Sequence, residues 1–239
     1  MKKLYVDLGN TYLKIFNKTS EISLLERYLV KEEDTSKDLF ERILKHTSLK
    51  LNYVIYLINV NFKHQELTKL LASKFVVKVP VQEDTLYVQG TNDKAGADII
   101  ASIKALDTKN FKPSIIVSMG TFVTITYVDK YENNMFGVSK ILIIPGLFRT
   151  LMLANNLLQN SVTNVEIIKN IVKKVYSLNT LNAVVFGTVQ LFKSGVLGML
   201  EKYKKTHQIF ITGGDAWLFE AISWVSVDPF ILIKGLDKL

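Results

Sequence analysis

The stretch that decides the fold lies near the start of the chain and reads Leu4-Tyr5-Val6-Asp7-Leu8-Gly9-Asn10-Thr11-Tyr12-Leu13-Lys14-Ile15-Phe16. It predicts a strand, a tight turn and a second strand, because Gly9 and Asn10 tolerate the backbone angles of a hairpin turn. Asp7 could hold a metal-bound phosphate, and Lys14 offers a positive charge; phosphoryl transfer depends on such positioning and charge neutralisation. A purely structural β-hairpin explains the same residues, and a short motif alone does not decide between the two interpretations.

A second hairpin of the same kind opens the second half of the chain. Residues 115–128 again read as a strand, a Gly-Thr turn and a strand, and Gly120 stands nearly half a chain length after Gly9. A hairpin that occurs once has a simple structural explanation. Its repetition at this spacing predicts two similar lobes whose turns face each other across a cleft.

Composition places the chain among globular proteins and narrows the chemistry open to it. Of the 239 residues, 48% are hydrophobic and 22% are charged, which is typical of a folded chain with a sizeable core. The absence of cysteine excludes disulfides, a thiol nucleophile and cysteine-bound zinc or iron–sulfur clusters. The three histidines lie far apart in the sequence, which disfavours a histidine-rich metal site.

The formal net charge of +8 raises the question of nucleic-acid binding. The lysines are scattered and are not interleaved with aromatic residues, so a solvated basic surface explains them better and no nucleic-acid partner is predicted. No leader-like apolar segment follows Met1, and no apolar run is expected to approach the roughly 20 residues of a membrane-spanning helix. The sequence therefore predicts a soluble, cytoplasmic protein without a membrane partner.

The hydrophobic pattern of the first half predicts an α/β unit. Three neighbouring strands are followed by a helix that ends near His46 and by a buried strand over Tyr53–Val60. A helix over Phe62–Ser73 and a strand over Phe75–Val81 come next. This is the element order of a ribonuclease-H-like lobe. We therefore predict an α/β fold of two such lobes, residues 1–112 and 113–239, with the boundary in Thr108–Pro113.

A polar loop and a short helix complete the first half. Glu83–Ala95 is predicted as a loop in which Tyr87 is the only large aromatic residue, and Gly96–Leu106 as a helix with Asp98 in its first turn. An aspartate at that position is ordinarily a cap or a partner of the helix dipole. A catalytic interpretation of Asp98 therefore needs support from the rest of the chain.

The second half is predicted to repeat the plan and to add a long helix. The predicted elements are a strand over Phe136–Ile144, a turn at Pro145-Gly146-Leu147, helices over Phe148–Leu158, Asn164–Val175, Thr180–Tyr203 and Trp217–Ile222, and strands over Gln208–Thr212 and Val225–Val227. Three glycines in the long helix predict close packing, as at a dimer interface: Gly187, Gly195 and Gly198. The Gly213-Gly214 pair could cradle a nucleotide or form a plain turn.

Six segments, taken in order, resemble the motifs of the type III pantothenate kinases, a family of the acetate and sugar kinase/Hsp70/actin superfamily. They are Asp7–Thr11 with Lys14, Gly96-Ala97-Asp98, Met119-Gly120-Thr121 with Thr124, Pro145-Gly146-Leu147, Asn179-Thr180 with Ala183 and Gly187, and Thr212–Ala216. The resemblance spans nearly the whole chain. It implies ATP-dependent phosphorylation of pantothenate to 4'-phosphopantothenate, the first step of coenzyme A biosynthesis.

The resemblance also implies a role for each matched position. Asp98 would be the general base that accepts the proton of the pantothenate hydroxyl, and Asp7 would hold Mg²⁺ against ATP. Thr180, from the neighbouring subunit's side of a homodimer, would contact pantothenate, and Tyr87 would help. Further ATP contacts would come from Leu8, Gly9, Asn10, Thr11, Tyr12, Leu13, Lys14, Gly120, Thr121, Gly213 and Gly214, and further pantothenate contacts from Gly96, Ala97 and Ile99.

Three positions depart from the family pattern. Ile99 stands where the family has an arginine, Ser118 where it has an aspartate that binds K⁺ or NH₄⁺, and Lys140-Ile141 where it has glycines. Losing charged groups weakens contacts to charged ligands, so the monovalent-cation site is expected to be altered here. Two alternatives stay open: a non-catalytic family member that binds a nucleotide or metabolite, and a kinase for another small hydroxyl substrate.

Overall fold

The computed structural model describes residues 1–47, 52–89, 94–156, 165–173 and 179–239. Contacts divide the chain into two compact units. Unit 1 comprises Met1–Phe111, Val128–Ser139 and Phe230–Leu239, and unit 2 comprises Lys112–Tyr127 and Lys140–Pro229. The lobe bounds of 1–112 and 113–239, which follow the repeat in the sequence, stay a prediction.

Runs of neighbouring strands are joined by helices in the described parts of the chain. The strands are β1 (Lys2–Leu8), β2 (Tyr12–Lys18), β3 (Ile22–Leu29), β4 (Tyr53–Asn59), β5 (Val76–Lys78), β6 (Leu86–Val88), β7 (Ser114–Met119), β8 (Phe122–Glu132), β9 (Met135–Pro145), β10 (Gln208–Gly213) and β11 (Ser226–Val227). The α-helices are α1 (Ser36–Leu44), α2 (Glu66–Ala72), α3 (Ala97–Lys104), α4 (Leu147–Asn156), α5 (Val165–Lys173), α6 (Thr180–Leu200) and α7 (Ile231–Leu236). Short 3₁₀ helices cover Phe62–His64, Glu201–Tyr203 and Ala216–Phe219.

The first sheet has the strand order β3-β2-β1-β4-β5. β1 pairs antiparallel with β2 and parallel with β4. Both central strands are buried along most of their length, as their continuous apolar runs predict. This arrangement places the end of β1, and with it Asp7, in the middle of the sheet.

Side chains alternate between the two faces of this sheet, and each face has its own layer of helices. On one face Leu4 and Val6 pack in a core with apolar residues of α1 and α2. On the other face Tyr5 packs in a core with Ala101 of α3 and Ile233 of α7. α1 begins after Thr35, which caps it and exchanges hydrogen bonds with Asp38 in a capping box.

The second sheet has the strand order β11-β10-β7-β8-β9-β6. Its run β9-β8-β7-β10-β11 repeats, strand for strand, the order of the first sheet, and β10 is parallel to both β7 and β11. Residues of α4, α5 and α6 share a core with β7 and β10 in unit 2. The repeated order confirms the predicted α/β fold with two ribonuclease-H-like lobes.

Three elements differ from the sequence predictions. β6 lies within the predicted loop Glu83–Ala95; its three residues are too few to show alternation, and their pairing with Phe136–Val138 makes them a strand. α7 was not predicted, because a six-residue helix containing Gly235 has little intrinsic stability. The helix predicted over Trp217–Ile222 is a 3₁₀ helix over Ala216–Phe219. The predicted helix ends at Leu158, Asn164 and Val175 lie outside the described residues.

The long helix also corrects the expectation about apolar runs. Together with its 3₁₀ extension it covers Thr180–Tyr203, 24 residues, with a mean hydropathy of 1.5 in its most apolar window. It is long and apolar enough to cross a membrane, so the prediction that no apolar run approaches this length was wrong. Core helices of soluble proteins also reach such values, and length and composition alone are weak evidence for a membrane span.

Candidate active site

The first hairpin turn joins β1 to β2 in unit 1. The Gly9 N–H donates to the Tyr12 carbonyl at 3.0 Å, and the register pairs Asp7 with Lys14. A Cβ added at Gly9 would lie 3.7 Å from its nearest neighbour, the Tyr12 carbonyl, which is an ordinary contact. Local packing therefore does not require glycine at this position, whereas close approach of a ligand to the backbone would.

Asp7 and Lys14 form an ion pair beside this turn. The Lys14 Nζ lies 3.2 Å from the Asp7 Oδ2, and Asp7 is only 8% exposed. A nearly buried carboxylate is costly unless a charge or hydrogen bond compensates it, and Lys14 provides that compensation. The pair thus keeps a negative and a positive charge together at the end of β1, as a metal-bound phosphate would require.

Asp98 lies in the first turn of α3 but does not cap the helix. Gly96 is the N-cap residue and has no side-chain cap bond, while the Asp98 Oδ1 accepts a hydrogen bond from the adjacent Ile99 N–H at 3.0 Å. A Cβ added at Gly96 would lie 2.6 Å from the Asp98 Oδ1. Gly96 therefore leaves the space that the Asp98 carboxylate occupies, which the spacing of the motif could not reveal.

Electrostatics distinguish Asp98 from an ordinary surface aspartate. Burial raises the pKa of the Asp98 carboxyl, the hydrogen bond from Ile99 opposes that shift, and the negative charge of Asp7 raises the pKa further. The two carboxylates thus lie close enough to interact, although they are 91 positions apart in the sequence. A carboxylate with a raised pKa is a better proton acceptor near neutral pH.

A pair of asparagines supports the first turn, and the sequence interpretation missed them. The Asn61 Nδ2 donates to the Gly9 carbonyl at 3.2 Å, and the Asn61 N–H donates to the Asn59 Oδ1 at 3.1 Å. Asn61 is 8% exposed, so its amide is committed to these contacts. Two asparagines, one ending the apolar strand β4 and one just beyond it, were the available signal, since such residues often bond to nearby backbone.

Unit 2 contains the second hairpin turn, with two glycine turns packed on its backbone. The Gly146 N–H donates to the Thr121 carbonyl at 3.1 Å, and a Cβ at Gly146 would lie 2.1 Å from the Gly120 carbonyl oxygen. Gly213 has φ +97°, and a Cβ there would lie 2.2 Å from the Met119 carbonyl oxygen. Three segments that the sequence showed only in order, residues 119–121, 145–147 and 212–216, therefore converge in space.

A cavity lies beside the Gly213-Gly214 turn. It has a volume of about 20 Å³, enough for about one water molecule, and is lined by Leu147, Phe148, Leu151, Ile168, Asp215 and Trp217. The Trp217 Nε1 is buried and has no hydrogen-bond acceptor among the described residues. The lining thus combines an apolar wall with one carboxylate and one buried donor, around a space the size of a water molecule.

Comparison with known proteins decides the family. The model for type III pantothenate kinase matches residues 3–222. The chain belongs to the type III pantothenate kinase family. The type III pantothenate kinase of Borrelia hermsii is 24% identical to this chain, and the alignment covers 99% of this chain and 92% of the relative. The type III pantothenate kinase of Bacillus cytotoxicus is 28% identical, and the alignment covers 98% of this chain and 94% of the relative. A structure described as a Baf family transcriptional activator from Campylobacter jejuni superposes with a TM-score of 0.57 at 17% identity, over 98% of this chain and 96% of that one. This likeness shows the fold alone.

The structure gives the local contacts of two residues expected from the type III pantothenate kinase pattern, Tyr87 and Thr180. The Tyr87 hydroxyl donates to the Glu132 Oε1 at 2.7 Å, and β6 places Tyr87 opposite Gly137. Thr180 is the exposed first residue of α6, which Asn179 caps as predicted. Their roles in substrate binding stay predictions.

Two of the three departures from the family pattern, Ile99 and Ser118, have clear structural settings. Ile99, in place of an arginine, is 9% exposed and presents an apolar side chain where the family has a cation. Ser118 lies on β7, half-buried, in register with Thr212 of β10. Neither side chain carries a charge, so an anion beside Ile99 would depend on backbone groups or water, and a cation at Ser118 would have only the neutral hydroxyl, backbone groups and water as ligands.

Proposed function

We propose that the protein is an ATP-dependent kinase of the cytoplasm that converts pantothenate to 4'-phosphopantothenate, the first step of coenzyme A biosynthesis. The observation that supports this most is the combination of Asp98, whose pKa is raised, with Asp7 and Lys14 on the first hairpin. These are the two parts that phosphoryl transfer needs from a protein: a proton acceptor and charges that position the phosphates. Family membership supports the same proposal.

Asp98 is the general base in this proposal. The pantothenate hydroxyl oxygen forms a bond to the γ-phosphorus of ATP, the bond from that phosphorus to the β–γ bridging oxygen breaks, and ADP leaves. The hydroxyl proton passes to the Asp98 carboxylate, whose raised pKa favours its acceptance. Gly96 contributes by leaving room for the carboxylate, and Ala97 and Ile99 flank it on α3.

The first hairpin fits a Mg²⁺ ion held jointly with ATP. Among the described residues there is no group of three or more His, Cys, Asp or Glu side chains that could cage a metal. Mg²⁺ in kinases needs no such cage, because one or two carboxylates, the phosphates and water complete its coordination. Asp7 would hold the ion, which when bound neutralises phosphate charge, and Leu8–Lys14 would contact the phosphates.

Unit 2 supplies the remaining nucleotide contacts that we propose. Gly120 and Thr121 belong to a turn built like the first one, and Gly213 and Gly214 form the turn beside the cavity. In this proposal Tyr87 and Thr180 contact pantothenate, Thr180 doing so within a homodimer.

We further propose that the outer face of α6 forms the dimer interface. Its exposed residues include Leu191, which is 75% exposed, and a Cβ added at Gly187, Gly195 or Gly198 would meet no atom within 4 Å. An apolar helix face bearing small residues allows close approach of a second helix. A second copy of α6 would cover it.

Leu191→Lys is expected to convert a dimer into a monomer, because a charge at the centre of an apolar interface loses its hydration without gaining a partner. Light scattering at micromolar concentration would report the mass. Leu29→Lys makes the same chemical change at a 54% exposed leucine of β3 and should leave the dimer intact. A monomeric wild-type protein at this concentration would contradict the proposed interface.

A coupled ADP-release assay across a panel of hydroxylated acids, pantothenate among them, tests the proposed function. We expect turnover with pantothenate that requires Mg²⁺ and stops with EDTA. Turnover with a different acid alone would favour another kinase, an alternative supported by the missing cation at Ile99. Nucleotide binding in a calorimeter without any turnover would favour a non-catalytic member.

Activity is expected to be nearly the same in sodium and potassium buffers, because Ser118 has no charge with which to hold a monovalent cation. Removing one unit charge about 4 Å from a cation forfeits roughly 4 kcal/mol at an effective dielectric constant near 20, before water compensates. Ser118→Asp should therefore restore a potassium response, and Ser118→Asn, of similar size but neutral, should not. Strong activation of the wild-type enzyme by millimolar K⁺ would show that backbone groups suffice.

A further inference from the structure

The last ten residues, 230–239, belong to unit 1 and cross the helix that carries Asp98. A Cβ added at Gly235 of α7 would lie 1.7 Å from the Ala101 carbonyl oxygen of α3, so the two backbones touch at this crossing. The Lys238 Nζ donates to the carbonyls of Ala105 at 2.9 Å and Leu106 at 2.8 Å, just after the end of α3. These contacts hold α3 at its middle and at its C-terminal end.

The same segment is anchored to the strands that carry Asp7 and Lys14. The Asp237 carboxylate accepts hydrogen bonds from the Lys3 Nζ at 2.7 Å, from the Lys18 Nζ at 2.6 Å and from the Tyr5 hydroxyl. Burial by itself would raise the pKa of Asp237, but the hydrogen bonds from Lys18, Lys3 and Tyr5 outweigh it and hold the pKa far below its ordinary value. Asp237 is therefore ionised and fully engaged at neutral pH.

We infer that α7, with Asp237 and Lys238, is a brace that sets the position of Asp98 relative to Asp7. Asp237 is hydrogen-bonded to side chains of β1 and β2. Gly235 packs against α3 and Lys238 is hydrogen-bonded to the carbonyl that follows α3, so α7 links this helix to the two strands. Gly235, Asp237 and Lys238 are then positioning residues for the reaction proposed above, on which this inference rests. None of them belongs to the motifs that the sequence pointed to.

A displacement at the contact between Gly235 and Ala101 would also move Asp98, the proposed base. Ala101 is one helical turn from Asp98, and a helix moves as a stiff body, so a shift at the crossing displaces the carboxylate. On the other side, Tyr5 lies two residues before Asp7 on β1. A misplacement of about 1 Å can cost on the order of 100-fold in rate, so a small shift has a measurable effect.

Gly235→Ala is the sharpest test, because its methyl group must push against the backbone of α3. We expect kcat to fall about tenfold to 100-fold, with little change in the KM for ATP. If α3 moves away from β1, the Asp98 carboxyl becomes less buried. Asp7, whose charge Lys14 partly offsets, then also repels it less. The pH at which activity appears should therefore move down, and the pKa of Asp98, read by carboxyl ¹³C NMR, should move with it.

Lys238→Met provides a milder variant in case Gly235→Ala fails to fold. It keeps most of the side-chain length but removes both hydrogen bonds to α3, and it should shift kcat and the Asp98 pKa in the same directions by less. Lys238→Arg retains donors and should behave nearly as the wild type. Lys37→Met, at an exposed lysine of α1, is the matched control and should change neither quantity.

A lower melting temperature with unchanged kcat and an unchanged Asp98 pKa in both variants would overturn the inference, since α7 would then only stabilise unit 1. The NMR titration also separates this inference from the proposed function. If the wild-type protein shows no kinase activity, a downward shift of the Asp98 pKa in Gly235→Ala still supports the brace, and an unshifted pKa still refutes it.

Discussion

Asp98→Asn is expected to lower kcat by about 10²- to 10⁴-fold, the range that general-base catalysis usually contributes. Asparagine has nearly the shape of aspartate, but its amide cannot accept the hydroxyl proton. Binding of Mg-ATP should change little, because Asp7 and Lys14 remain in place. Steady-state kinetics with pantothenate, together with calorimetric titration of Mg-ADP, would separate the two effects.

The same substitution is expected to stabilise the fold at neutral pH. The pKa of Asp98 is raised in the folded protein, so ionising this half-buried carboxyl beside Asp7 costs folding free energy above the folded pKa. Asparagine removes that cost, and the gain should vanish as the pH falls below the ordinary aspartate value near 3.8. Lost activity with gained stability is the signature expected of a residue retained for function.

Asp107→Asn is a suitable control for Asp98→Asn. Asp107 follows α3 in an exposed turn, where hydrogen bonds from the backbone of Lys109 and from Asn110 lower its pKa. The substitution should leave kcat essentially unchanged. Near-normal turnover by Asp98→Asn would remove Asp98 from its catalytic role and favour a non-catalytic function for the family member.

Gly213→Ala is expected to cost about 2–4 kcal/mol of folding free energy. Its φ of +97° is strained for any residue with a side chain, and the new methyl group would lie 2.2 Å from the Met119 carbonyl oxygen. That atom belongs to β7, with which β10 pairs, so relief would require the end of β10 to move. Urea unfolding would measure the loss, and affinity for Mg-ADP should fall with it because the second hairpin turn is packed on the same backbone.

Gly214→Ala is the matched control for the Gly213 prediction. A Cβ added there meets no atom within 4 Å, so stability should change by no more than about 0.5 kcal/mol. If Gly214 contacts the nucleotide as proposed, this variant should raise the KM for ATP while the unfolding transition stays in place. Equal stability losses in both variants would mean that backbone strain at Gly213 is unimportant.

Local signals in the sequence predicted the elements that depend on neighbouring residues. The Gly-Asn turn and the apolar run of β4 depend on a few neighbouring residues, and both form as expected. β6 and α7 were missed because each is too short to be stable by itself. β6 needs β9 as a partner, and α7 needs α3 and the sheet beneath it.

The sequence by itself determined the two-lobe α/β fold and the order of the candidate motifs, because these depend on hydrophobic period, turn chemistry and spacing along the chain, and the resemblance of those motifs indicated the family. Only the tertiary structure decided which residues support the site: Asn61 beneath Gly9, Gly146 and Gly213 against the second hairpin, and Gly235 against Ala101. Each of these contacts joins segments far apart in sequence, so no local pattern records it. The raised pKa of Asp98 also depends on the tertiary structure, because it results from burial and from the charge of Asp7, which is distant in the sequence.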